Sequence, residues 1–310
     1  MYFSKLQNAP LCQQGTERLR GIVTIVVGIV VGLIVCNPLT ACAAASSASV
    51  MAESTKTTVV PSQIAGKRLI WSDEFDGKSG SPPDPNSWSA DVGGDGWGNK
   101  QLEYDTDNKN AYLDGQGNLV IETRKDNTAG LQCWYGPCQY TSARINTNGH
   151  FSFTYGLIEA SIKLPAGQGI WPAFWLVGSN CDTVGWPACG EIDVMENIGK
   201  EPDSVIGTVH GPNAYTFSVT HQLPRGRFSD SFHTFAVQWD PHQIIFSVDN
   251  TNYATLDRTD LSNQQNWVYD HPFYILLNTA VGGSMPGSPD KTTAFPQKMS
   301  VDFVRLYSNG

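Results

Sequence analysis

The stretch Gly156-Leu157-Ile158-Glu159-Ala160-Ser161-Ile162-Lys163-Leu164 alternates residue character with a period of two. In an extended chain Leu157, Glu159, Ser161 and Lys163 fall on one side, and Ile158, Ala160, Ile162 and Leu164 on the other. This is the pattern of a strand with one packed face and one solvated face. Further strand-like runs occupy Asn118–Arg124, Thr234–Trp239, Gln243–Val248, Phe273–Thr279 and Val301–Tyr307, each between turn-forming clusters. Nine Trp, thirteen Phe and eleven Tyr beside thirty Gly and eighteen Pro fit short strands and many loops. No amphipathic helix of useful length competes. The chain from Lys67 onward, about 240 residues, therefore reads as one all-β domain, an antiparallel sandwich.

The 310 residues carry only 16% charged side chains and a formal net charge of −9, so no basic surplus exists to hold nucleic acid. The one long apolar run, Gly21 to Val35, follows Lys5, Arg18 and Arg20 and precedes small residues. That order reads as a secretory leader over residues 1–45. The run is short for a bilayer span, and an uncleaved anchor is the alternative. Leu39-Thr40-Ala41-Cys42 resembles a lipobox, in which the cysteine is lipidated and becomes the mature N-terminus. Cleavage among Ala43, Ala44 and Ala45 is the competing reading. Both predict export, as a secreted protein or a cell-surface lipoprotein that meets the membrane only through its N-terminal lipid. Residues 46–66, rich in Ser, Ala and Thr, read as a flexible linker, and residues 67–310 as the functional domain. Loss of the leader leaves seventeen basic and twenty-eight acidic residues, a net charge of −11. Of seven cysteines, Cys133, Cys138, Cys181 and Cys189 remain in the domain. An even count in an exported chain favours disulfides, and the local pairs Cys133–Cys138 and Cys181–Cys189 are preferred among three connectivities. Zinc is disfavoured by the spacing and by the lack of a nearby histidine.

The chemical signal is Gly190-Glu191-Ile192-Asp193-Val194-Met195-Glu196. In a regular strand Glu191 and Asp193 share a face, while Glu196 would point into the core, where an unpaired carboxylate is costly. One extra residue in a β-bulge around Val194–Met195 returns Glu196 to the face of the other two. Three neighbouring carboxylates repel, which raises the pKa of at least one. Glycoside hydrolysis needs such a set, one carboxyl ionised and one protonated. The acids alone would also fit a solvated strand face or a calcium site. Gly169-Ile170-Trp171-Pro172-Ala173-Phe174-Trp175 precedes them and Trp186 lies between. Indole faces stack on sugar rings. Trp175, Trp171 and Trp97 are the candidates for a cleft, the other tryptophans reading as core.

With Trp71-Ser72-Asp73-Glu74-Phe75-Asp76-Gly77, Gly98-Asn99-Lys100-Gln101-Leu102-Glu103-Tyr104, Gly207-Thr208-Val209-His210-Gly211, Asn278-Thr279-Ala280-Val281-Gly282-Gly283 and Asp302-Phe303-Val304-Arg305-Leu306-Tyr307, these segments resemble glycoside hydrolase family 16. The likeness is greatest to its endo-β-1,3-glucanase (laminarinase) branch and runs from about Lys67 to the C-terminus. It implies a β-jelly-roll sandwich, concanavalin A-like, of two antiparallel curved sheets with a cleft on the concave face. It implies Glu191 as nucleophile, Glu196 as general acid/base and Asp193 as assisting carboxylate, in a retaining double displacement without a catalytic cofactor. Asn99, Glu103, Arg144 and His210 match polar cleft residues, although Arg144 could equally form a structural ion pair and Glu103 brace a loop. The resemblance also implies a structural calcium ion, held by Asp302 with oxygens of Glu74 and Gly117. The implied partner is a β-glucan, bound by a monomer. Met195, the inserted residue, moves the chain towards a bulged group that includes laminarinases and agarases.

Other catalytic patterns are absent: no G-x-S-x-G, HExxH or P-loop occurs. The remaining rivals are an agarase or other galactan hydrolase, a transglycosylase, and a non-catalytic sugar-binding jelly roll. A binding module has no need of three acids on one face. β-1,3-glucan is the expected substrate, with mixed-linkage β-1,3-1,4-glucan second. The loop Ser284–Asp290 departs from the family pattern. His233 reads as structural.

Overall fold

A computed structural model describes residues 61, 63–64, 66–263 and 266–309. The expected leader, its Cys42 and nearly all of the linker lie outside the described residues. Twenty strands are numbered here in chain order. One sheet runs β1 (Gln63–Ile64), β2 (Lys67–Asp73), β20 (Gln297–Tyr307), β11 (Gly156–Lys163), β16 (His233–Trp239), β17 (Gln243–Val248), β18 (Thr251–Asp257), with β5 (Ala111–Leu113) and β6 (Leu119–Thr123) joined at β20. The facing sheet runs β15 (Tyr215–Gln222), β14 (Ser204–Gly211), β13 (Glu191–Glu196), β12 (Ile170–Gly178), β19 (Phe273–Val281), β10 (Arg144–Asn146), β3 (Ser89–Asp91). Every pairing within these two sheets is antiparallel. Outside them, β4 (Glu103–Asp105) pairs in parallel with β9 (Tyr140–Ser142), and β7 (Gln132–Cys133) forms a hairpin with β8 (Gly136–Pro137). Among the described residues the helical elements include the short helix Cys181–Val184 and a 3₁₀ turn at Arg258–Asp260. Both sheets curl, as expected of a jelly roll.

The inner faces meet in one core that includes Phe174, Ile192, Met195, Phe235, Phe246, Leu277 and Val304. Strand β11 sends Ile158, Ala160, Ile162 and Leu164 into it. Its opposite face is not solvated as the alternation suggests, because Glu159 and Ser161 are buried too. The strand lies inside the sheet between β20 and β16, and Arg305 stands directly across from Glu159. The sheet also starts before Lys67: Gln63 and Ile64 pair with Arg68 and Lys67 around Gly66, which has φ of 82°. Central strand β12 contains Pro172, whose carbonyl accepts from Asn197 N–H just beyond the end of β13. The proline nitrogen shares that side, where the ladder is ending, so the missing donor costs no bond to β19. His233 bonds Asp249 at 2.7 Å on the sheet away from the acids, a structural role.

Candidate active site

Strand β13 carries the predicted bulge. Asp193 pairs with Thr208 and Glu196 with Ile206, so three steps on β13 match two on β14. On the other side Trp175 pairs with Asp193 and Phe174 with Met195. Val194 and Met195 both turn into the core, and this places Glu191, Asp193 and Glu196 together on the outer face. Five steps along β13 thus match four rungs of β14, about 13 Å of strand.

The acids are little exposed: Asp193 by 3% and Glu196 by 8%. Burial, then the Asp193 charge, pushes Glu191 up to about 8. Burial, then the Glu191 charge, pushes Glu196 up to about 7. Asp193 is raised well above the usual carboxylate range, by burial first and Glu196 second. The cluster therefore holds protons near neutrality, because three charges in one poorly solvated place repel. Separate indoles oppose this trend at each glutamate. Trp186 Nε1–H donates to Glu191 Oε2 at 2.9 Å, and Trp171 Nε1–H to Glu196 Oε1 at 2.9 Å. His210 stands across from Glu191 on β14, with Nε2 3.8 Å from Glu191 and 3.4 Å from Asp193. Its Nδ1 meets Thr216 Oγ1 at 3.2 Å. Among the described residues, Glu191, Asp193 and His210 form the one trio of such groups converging within 4.8 Å.

Beyond β12 the outer face continues as a wall. Arg144 on β10 donates to Asp91 at 2.9 Å, and its guanidinium lies 4.8 Å from the Trp97 ring and 4.7 Å from the Trp175 ring. Arg144 is thus an ion pair, as one of its two readings expected, and its guanidinium lies between two indole rings. Trp175 is fixed by Nε1–H donating to Asn278 at 2.8 Å. Trp171 is 7% exposed, so it holds Glu196 rather than offering a broad ring face. Asn99 lies at the rim, its carbonyl accepting from Ser284 N–H at 2.9 Å.

Glu103 does not belong with these cleft residues. It is 1% exposed, and Oε2 accepts from Val281 N–H at 2.7 Å. Strand β4 turns it under the loop, where it braces main chain. Trp186 went unassigned to the cleft in the sequence; the signal available was its position five residues before Glu191 inside the Cys181–Cys189 loop. Asp91, Asn278 and Thr216 gave no signal, being distant in sequence from what they orient. Both expected disulfides form, Cys133–Cys138 and Cys181–Cys189. For the implied calcium the fit is partial. Glu74 is bidentate with Arg305 at 3.0 and 2.7 Å, so its carboxylate is engaged and only its main-chain oxygen is left to offer an ion.

Comparison with known proteins agrees with this fold. The model of "Glycosyl hydrolases family 16" matches residues 98–305. A beta-glucanase of Rhodothermus marinus is 41% identical over 255 residues, 77% of this chain and 84% of that protein. The laminarinase catalytic domain of Thermotoga maritima superposes with a TM-score of 0.73 at 44% identity, covering 79% of this chain and 99% of that one. An endo-beta-1,3-glucanase of Pyrococcus furiosus gives 0.73 at 45% identity, covering 79% and 97%. The chain belongs to family 16 of the glycosyl hydrolases and is a glycoside hydrolase.

Proposed function

We propose that this protein cleaves internal linkages of a laminarin-type β-1,3-glucan with retention at the anomeric carbon, and mixed-linkage β-1,3-1,4-glucan less readily. The observation that carries the reading is the bulge, which sets Glu191 and Glu196 on one face with an indole donor on each. Glu191, as carboxylate, attacks the anomeric carbon while Glu196 delivers its proton to the departing glycosidic oxygen. A glycosyl ester on Glu191 results. Glu196, now ionised, takes a proton from water, whose oxygen attacks the same carbon and frees Glu191. Asp193 and His210 stand beside Glu191 and orient it, and Trp175 and Trp97 with Arg144 between them line the sugar path. The laminarinase and β-glucanase relatives support the glucan assignment over a galactan.

The test is reducing-sugar release and product analysis on laminarin, mixed-linkage β-glucan, agarose and xyloglucan, with proton NMR of the first anomer formed. Laminarin should be cleaved fastest, with the β-anomer first. Glu191→Gln should lose nearly all hydrolysis yet still be retarded by laminarin in an affinity gel. Glu196→Gln should lose roughly 10²–10⁴-fold on polysaccharide and far less on an activated aryl glycoside. Full activity of Glu191→Gln, or agarose as the preferred substrate, overturns the reading. Calcium at Asp302 with the main-chain oxygens of Glu74 and Gly117 is proposed as structural only; chelator should lower the melting temperature and leave 25 °C turnover intact.

A further inference from the structure

The molecule carries an exposed tryptophan that the proposed reaction does not use. Trp134 sits at the tip of the β7–β8 hairpin, which Cys133–Cys138 closes, and is 49% exposed. It is not a loosely held surface residue. Its Nε1–H donates to Gln101 O at 2.7 Å, its main-chain N–H to Gly94 O at 2.8 Å, and the neighbouring Tyr135 hydroxyl donates to Leu102 O at 2.6 Å. The ring edge rests on Gly96, where an added Cβ would stand 2.9 Å from Trp134 Cδ1 and Nε1. Gly96 also has φ of 86°, so both conformation and space require glycine there. One ring edge is thus pinned while a large part of the indole stays open to solvent.

That indole borders a hollow of about 250 Å³ lined also by Lys100, Leu102, Ser284 and Ser288. The hollow is continuous with the catalytic face through Gly283. A Cβ added at Gly283 would lie 3.2 Å from Asn99 O and 3.3 Å from the Trp171 ring, the same ring that bonds Glu196. Its far wall is the loop that departs from the family pattern, held in place by Gln168 Nε2 donating to Pro286 O at 2.6 Å and Ser288 O at 3.1 Å. An indole, a leucine, two serines and an ammonium group, with no carboxylate among them, suit a neutral sugar: apolar ring face against Trp134, hydroxyls toward the serines and Lys100.

We propose that Trp134 and this hollow form a distal subsite that binds one further glucosyl unit of the chain being cut, on the Glu196 side of the acids. The subsite rests on the β-glucan reading of the site. It makes the hairpin a gauge of chain length: long chains gain its contact, short ones end before reaching it.

The experiment measures kcat/KM of wild type, Trp134→Ala and Trp134→Phe on β-1,3-gluco-oligosaccharides of increasing length. The ratio of long- to short-substrate kcat/KM should fall roughly 2–10-fold in Trp134→Ala, through KM, and largely recover in Trp134→Phe, which keeps a ring but loses the bond to Gln101. An equal loss at every length in both variants would assign Trp134 to positioning the Gly93–Gly98 loop, and no loss at any length would remove the subsite. Retardation by laminarin in an affinity gel, compared between wild type and Trp134→Ala, reads the subsite without hydrolysis. If the wild type cuts another polysaccharide, the glucan assignment fails, and the same ladder made from that polymer still decides the subsite.

Discussion

Replacing Trp171 by Phe should move the acidic limb of the pH–rate profile upward, and the sign follows from one hydrogen bond. Trp171 Nε1–H donates at 2.9 Å to Glu196, which is 8% exposed. The bond favours the charged carboxylate, so losing it raises the pKa of Glu196 above its present value of about 7. A hydrogen bond to a charged group at such a site is worth about 1.5–3 kcal/mol. At about 1.4 kcal/mol per unit this is a rise of roughly 1–2 units. The productive form carries one proton on Glu196 and none on Glu191, the less populated of the two singly protonated states because Glu191, at about 8, holds its proton longer than Glu196, at about 7; the acidic limb then follows Glu196 and the alkaline limb Glu191. Trp186→Phe gives the opposite test, because Trp186 donates to Glu191. There the alkaline limb should rise, by less than about one unit, since Trp186 is 51% exposed and water replaces the indole. One variant widens the bell and the other narrows it. The assay is kcat/KM on a soluble β-1,3-gluco-oligosaccharide from about pH 4 to pH 10. Lost packing lowers the plateau without displacing a limb, so limb position is the readout. An unmoved acidic limb in Trp171→Phe, or an unmoved alkaline limb in Trp186→Phe, would refute the division of roles between the glutamates.

Burial first raises the pKa of Glu103 from 4.5 to about 7, so it takes up a proton on folding. Its share of stability is complete below pH 4.5 and is lost as the pH climbs through about 7. Glu103→Gln keeps an acceptor for Val281 N–H and should flatten that decline, gaining a few kcal/mol at pH 8 (about 1.4 per unit). Melting temperatures from pH 5 to pH 8.5 that fall equally in both proteins would contradict this. Met195→Ala empties a fully buried position and should cost roughly 2–5 kcal/mol in denaturant unfolding while the acids stay on their face. Inserting one alanine between Met195 and Glu196 should instead turn Glu196 toward the core and abolish turnover in whatever protein folds. Removal of Cys133–Cys138 by paired serine substitutions closes no more than a short loop and should cost about 2 kcal/mol by thermal unfolding.

Much of this was legible in the chain because it is local. The alternation of Gly156–Leu164 names a strand and its inner face, and the burial of Ile158, Ala160 and Ile162 agrees. The spacing of Glu191, Asp193 and Glu196 demands a bulge, since otherwise a carboxylate enters the core, and the register of β13 contains it. The short cysteine spacings favour local disulfides, and both form. The choice between the two readings of Glu103, cleft residue or loop brace, was not legible for a physical reason: polar type and nearness to Asn99 say nothing about which way a short strand turns its side chain. The solvated face expected for β11 was wrong on similar grounds, because alternation reports the two faces but not what a neighbouring strand lays over one of them.

The sequence by itself determined an all-β sandwich, a bulged acidic strand and the side of it on which three carboxyls gather, because strand period and bulge count are properties of consecutive residues. Only the tertiary structure decided which groups tune those carboxyls. Trp171 reaches Glu196 from β12, His210 reaches Glu191 and Asp193 from β14, and Asp91 holds Arg144 from β3. These pairs meet because antiparallel sheets bring distant segments into register. Nothing in a linear order of residues states that register.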